Sequence, residues 1–135
     1  MNDPAAEGRR WLAQADNDLA FARYALDGGF FHQACFVAQQ CAEKTLKALL
    51  YADGARSVIG HSVVGLLARA VERHSGLERL RDFAAELDLL YIPTRYPNGL
   101  IEGSPHEVFT RTQAERAISS AETVLQSVRA ELPQR

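Results

Sequence analysis

An arginine, an aromatic ring and a histidine gathered in one non-helical stretch are the parts from which a phosphate site is built. The segment LDLLYIPTRYPNG, residues 87–99, starts with a helical pattern, breaks at Pro93, and then presents Arg95, Tyr96 and Asn98. His106 follows, and Arg111 stands just inside the next helix. A guanidinium offers a fixed fork of donors matched to phosphate oxygens. A neighbouring ring can stack on a base, and a histidine can move protons. Such a set binds a nucleotide or an RNA phosphate through Arg95, Tyr96 and Asn98. With His106 as general base it could instead cleave RNA by activating the 2′-hydroxyl while Arg95 steadies the charge on phosphorus. The plainer alternative is that Arg95 pairs with Asp88 or Glu102 and only pins the loop.

A second candidate lies in AQQCAEKTLKALL, where Gln39, Gln40, Glu43, Lys44 and Lys47 collect on the polar side of a helix. A solvated face accounts for them without any function. In the functional reading Lys47 adds positive charge to the phosphate site, or Gln40 faces a partner. The segment RSVIGH places Arg56 and His61 in one loop as a weaker catalytic pair. His61 adjoins Ser62, so shaping a helix start is its simpler role. The four histidines, His32, His61, His74 and His106, show no metal-ligand spacing, and neither a metal nor a cofactor is expected.

The elements that must position these residues are helical almost throughout. Trp11, Ala15, Leu19, Ala22 and Leu26 recur at three- and four-residue steps and predict a helix over about 8–27, ended by Gly28-Gly29. Ala34, Val37, Cys41, Thr45 and Ala48 form the inner face of a second helix over about 30–53. Ser62 is a natural N-cap for a third helix near 63–74. Leu80, Phe83, Leu87 and Tyr91 share a face of a fourth near 77–92, and Thr110 with Gln113 fits a capping box for the last. No stretch has the period-two alternation of a strand. The connection from Pro93 to Phe109, about 17 residues, exceeds the ~12–15 usual for a structureless loop in a compact domain.

The expected architecture is therefore a single all-α domain over residues 1–135, an antiparallel bundle of about five helices with a long loop before the last. Apolar residues make up 47% of the chain, enough for a core that needs no staple. A net charge of −2 argues against a broad basic surface for duplex nucleic acid, while leaving room for a local site. Cys35 and Cys41, on one helix, would be separated by about 9 Å of rise, beyond the roughly 7 Å limit for a disulfide. The opening MNDPAAEGRRW lacks a signal-peptide pattern, and no apolar run is long enough for a membrane span. A cytoplasmic location is expected.

Five stretches, AQADNDLAFARYAL, FFHQACFVAQQCAEKTLKALL, GHSVVGLL, LDLLYIPTRYPNG and VFTRTQAERAISSAE, occur in that order. Together they resemble the HEPN family of small helical-bundle domains, over nearly the whole chain from about Trp11 to Val128. The resemblance implies a homodimer, with the first and second helices as the expected interface, and an association with nucleotide binding and RNA cleavage. Many such proteins are encoded beside a minimal nucleotidyltransferase as toxin–antitoxin pairs, so that enzyme is an expected partner. The family's metal-free RNases use an arginine followed within a few residues by a histidine, brought together across the dimer. Here Arg95 is followed by a histidine only at His106, with ten residues between. Arg56 and His61 have four between, but lie earlier in the bundle than the family's motif. Val63 and Val108 stand where some members carry a tyrosine that the partner enzyme modifies. The expectation is therefore a HEPN protein that binds a nucleotide or RNA phosphate; a metal-independent endoribonuclease is the alternative, and a non-catalytic protein-interaction bundle the second alternative.

Overall fold

The computed structural model describes residues 3–133. Helix α1, Pro4–Asp27, begins where Asp3 accepts hydrogen bonds from the backbone N–H groups of Ala5 and Ala6, with Pro4 at the first helical position. Gly29, at φ +84°, turns the chain back into α2, Phe31–Ala52. The two helices meet through small side chains: Ala15, Ala22 and Ala25 on one, Ala34, Ala38, Cys41 and Ala42 on the other, all buried. At Gly8 the approach is so close that a Cβ would sit 2.9 Å from the Ala48 carbonyl oxygen and the Ala52 Cβ.

Helix α3, Val63–Val71, opens at Ser62, whose hydroxyl accepts from Gly65 N–H at 3.0 Å. A 3₁₀ segment, Ser75–Leu80, leads into α4, Arg81–Asp88. A one-turn helix, α5, Pro105–Val108, precedes the last long helix, α6, Arg111–Glu131, which packs along α2. The capping box expected for α6 is present, Thr110 and Gln113 each bonding the other's backbone N–H. Leu46, Leu49, Leu67, Leu77, Leu80, Leu87 and Leu125 fill the core where these helices meet. The chain is all-helical among the described residues.

Two details differ from expectation, and a third settles what the sequence left open. The fourth helix is shorter than the pattern suggests, and its first turns are 3₁₀. It stops at Asp88, before Pro93, because the following N–H groups bond three residues back: Leu89 to Glu86, Leu90 to Leu87, Tyr91 to Asp88. Phe83, expected on its inner face, is 38% exposed. The long connection is also not structureless. It contains a 3₁₀ turn at Pro97–Gly99 as well as α5, whose Ser104–Glu107 capping box supplies local order.

Candidate phosphate site around Arg95

One stripe of α2 organises the site. His32, Phe36, Gln39, Gln40, Glu43 and Lys47 fall within a quarter-turn or so of one another on a 3.6-residue helix. This is the polar side expected to be solvated. Instead Gln39, Glu43 and Lys47 are buried: the loop carrying His61 lies on Gln39 and Glu43, and Lys47 lies against Trp11 of α1.

The first loop carries Arg95. Past the 3₁₀ bonds after α4, Pro93 lacks an N–H and biases Ile92 away from helix. The chain then turns again, Arg95 N–H donating to Ile92 O at 3.0 Å. Thr94 is buried; its hydroxyl donates to Leu90 O, and its carbonyl oxygen lies 3.3 Å from His32 Nδ1. With the backbone fixed on both sides, the Arg95 guanidinium lies over Phe36 at 4.5 Å, Tyr91 at 4.4 Å and Tyr96 at 5.1 Å from the ring centres. Its Nε donates to Tyr91 O at 2.9 Å. Both terminal nitrogens lack a protein partner among the described residues, and no carboxylate there forms an ion pair with Arg95. Asp88, the obvious pinning partner, is used elsewhere. Its carboxylate accepts from Val63 N–H at 2.6 Å, Val64 N–H at 3.2 Å and the Ser62 hydroxyl at 2.8 Å, neutralising the open end of α3.

The second loop, residues 53–62, carries His61. Val58 N–H donates to the Tyr51 hydroxyl, and Gly60 at φ +108° makes the turn before the histidine. His61 is then held at three points. Gln39 donates to its carbonyl oxygen at 3.0 Å, its Nδ1 is 3.3 Å from Glu43 Oε2, and its ring stacks on Tyr91 at 5.0 Å and 17°. Tyr91 is thus shared by Arg95 and His61. Lying 4.4 Å and 5.0 Å from one ring centre, the two groups are within 9.4 Å of each other.

Glu43 is a buried carboxylate whose oxygens are fully occupied, which is the condition for keeping charge in a core. Besides His61 it receives Lys47 Nζ at 3.0 Å and Gln40 Nε2 at 3.2 Å. Lys47 also lies 5.7 Å from the Trp11 ring centre, and Trp11 stacks on Tyr51. Its ammonium supports the floor of the site from inside.

The other candidates are placed as follows. Tyr96 is half-exposed against Arg95, and Asn98 is exposed in the neighbouring 3₁₀ turn. His106 is exposed on α5, where its Nδ1 contacts the Ser104 hydroxyl at 2.9 Å; no contact joins it to Arg95 among the described residues. Arg56 is exposed and lines a groove with Glu7, Arg10 and Tyr51, apart from the His61 ring. Arg111 sits 5.0 Å from the Phe31 ring centre, a second guanidinium seated on α2. Cys35 and Cys41 are free thiols, and burial pushes both up to about 12, too high for nucleophiles.

Phe36, Tyr91 and Glu43 were not read from the sequence as site residues. The available signal was the recurrence of His32, Phe36, Gln40, Glu43 and Lys47 at three- and four-residue steps, mixed in chemistry where a solvated face would be uniformly polar.

Residues 9–131 match the HEPN domain family, and the chain belongs to it. The crystal structure of TT1696 from Thermus thermophilus is similar at 40% identity and a TM-score of 0.89, over 93% of this chain and 98% of that one. ST0689, an archaeal HEPN homologue, is 37% identical with a TM-score of 0.79, over 94% and 98%. The HEPN domain protein TM0613 from Thermotoga maritima is 34% identical with a TM-score of 0.73, over 91% and 97%. A Methanocaldococcus jannaschii protein bearing the name "Putative toxin MJ1304" is 25% identical over 127 residues, 88% of this chain and 84% of that one. No helix among the described residues is long and apolar enough to cross a membrane.

Proposed function

We propose that this HEPN protein binds a nucleotide or an RNA phosphate at Arg95, within a toxin–antitoxin-like pair whose partner is a nucleotidyltransferase, and that it works as a homodimer. The observation carrying this reading is the state of the Arg95 side chain. A guanidinium seated against both Phe36 and Tyr91, with both terminal nitrogens unpartnered among the described residues, is immobilised in advance and still has its bidentate edge to give. Its entropy loss on binding is thereby reduced. Tyr96 adds a ring against the guanidinium, and Asn98 an exposed amide two residues further on. The toxin name of the archaeal relative supports the toxin-like setting. Titration of ATP, GTP and short RNA at matched salt tests the site: Arg95→Ala should weaken binding by roughly tenfold or more, the worth of a charge-assisted bidentate contact. Equal affinities would remove Arg95 from the site.

The second reading, a metal-independent endoribonuclease, is favoured by the shared contact of Arg95 and His61 with Tyr91. An arginine for the phosphate and a histidine for the proton are the minimum set for attack by a 2′-hydroxyl. Cleavage of single-stranded RNA in the presence of a chelator, leaving a cyclic phosphate end, is its signature. Intact RNA after long incubation with folded protein rules it out.

A further inference from the structure

We propose that His61 is the second ligand-contacting group of the Arg95 site, accepting a hydrogen bond from a ribose hydroxyl, and that buried Glu43 is the residue that positions it. The inference rests on the Arg95 phosphate reading and adds to it which sugar the site prefers.

Three observations converge. A loop histidine whose side chain is 61% exposed would ordinarily be mobile, yet this one is fixed by Gln39 at its backbone, by Glu43 at Nδ1 and by Tyr91 at its ring face. Glu43 is a carboxylate and can only accept, so Nδ1 carries the hydrogen of that bond. In the neutral ring this leaves the lone pair on Nε2, which has no partner among the described residues. An outward-facing acceptor seeks a donor, and a fully ionised phosphate has none; a sugar hydroxyl does. Arg95 and His61 both contact the Tyr91 ring and lie no more than 9.4 Å apart, within the span of one nucleotide with its phosphate on the guanidinium and its ribose at the imidazole. The charged groups facing His61 are Glu43 and, through it, Lys47 on α2, with Arg95 beyond Tyr91.

The arrangement explains why a buried ion pair is kept on a helix face where apolar residues would pack as well. The Glu43–Lys47 pair gives the imidazole a fixed acceptor at one nitrogen, as carboxylates behind ligating histidines do. Glu43 touches no ligand; it acts through His61.

The test compares ATP with its 2′,3′-dideoxy analogue, on wild type and variants at matched salt. Wild type should prefer ATP by roughly three- to tenfold, the range of one hydrogen bond. His61→Ala should abolish the preference while retaining the affinity for the dideoxy analogue. Arg95→Ala should weaken both nucleotides alike. Glu43→Met combined with Lys47→Met exchanges the buried pair for apolar side chains of similar volume, a change that is often neutral or stabilising for a buried ion pair; it should lose the preference with His61 intact. A proton–nitrogen correlation spectrum of the imidazoles should show His61 protonated at Nδ1 in wild type and no longer held in that tautomer in the double variant. Equal binding of the two nucleotides by wild type, a preference surviving His61→Ala, or a wild-type ring protonated at Nε2 would each overturn the inference. The first two leave the Arg95 contact standing; failure of Arg95→Ala to weaken either nucleotide removes the reading beneath it.

Discussion

Two histidines of this bundle are each held by carboxylate, and they are built for opposite ends. His74, at the far end of α3, has both ring nitrogens engaged: Nε2 lies 2.9 Å from Asp53 Oδ2 after α2, and Nδ1 2.8 Å from Glu131 Oε1 at the end of α6. Its side chain is only 15% exposed. It closes three elements together and has nothing left to offer. His61 has one carboxylate, one unpartnered nitrogen among the described residues and an exposed face. The same residue type with the same kind of partner is therefore a clasp in one place and a presented group in the other. What decides between them is how many of its donors and acceptors the fold consumes.

The largest effect that could break this contrast is at Glu43. Removing the carboxylate alone, in Glu43→Ala, strands Lys47 in the core without a partner. Urea unfolding should then show a loss of about 3–5 kcal/mol, the cost of orphaning one member of a buried pair. A loss under about 1 kcal/mol, the worth of an exposed pair, would mean that the pair is effectively solvated and that His61 has no rigid support. Next is the clasp. Although burial opposes its charged form, hydrogen bonds to Glu131 and Asp53 raise the His74 pKa above the usual histidine range. A raised folded-state value means stability that is full below the unfolded pKa and lost as pH climbs through the folded one. Thermal unfolding followed from acidic to alkaline pH should show that decline, and His74→Gln should flatten it. A smaller effect is expected at the thiols. Cys35 and Cys41 should react with a thiol reagent only as fast as the bundle opens, since burial lifts both to about 12.

The fold was legible because its determinants are periodic and local. The three-and-four spacing of Ala15, Leu19 and Ala22, the Gly28-Gly29 turn, the Ser62 cap and the Thr110–Gln113 box all act within a turn or two of sequence. Arg95 was legible as an unusual residue in an unusual loop. Its surroundings were not. Phe36 lies 59 positions before Arg95 in the chain, and His61 reaches Glu43 over 18 positions; only the folding of two loops onto one face of α2 makes them neighbours. The polar half of α2 misled for the same reason. Glu43 and Lys47 have the spacing of a solvated pair, and that spacing does not register His61 lying on one and Trp11 on the other. His106 illustrates the converse, close to Arg95 in sequence and engaged only with Ser104 in space among the described residues.

The central claim is that a stacked guanidinium presents its free edge to phosphate, and the most direct measurement watches that group itself. In a titration of ATP followed by nitrogen-resolved NMR of the arginine side chains, the Arg95 Nε–H signal should shift and saturate together with the ring signals of Tyr96 and Tyr91. Arg129, paired with Asp16 at 2.6 Å, should stay still. Saturable shifts confined to other arginines, with Arg95 unmoved, would contradict the account.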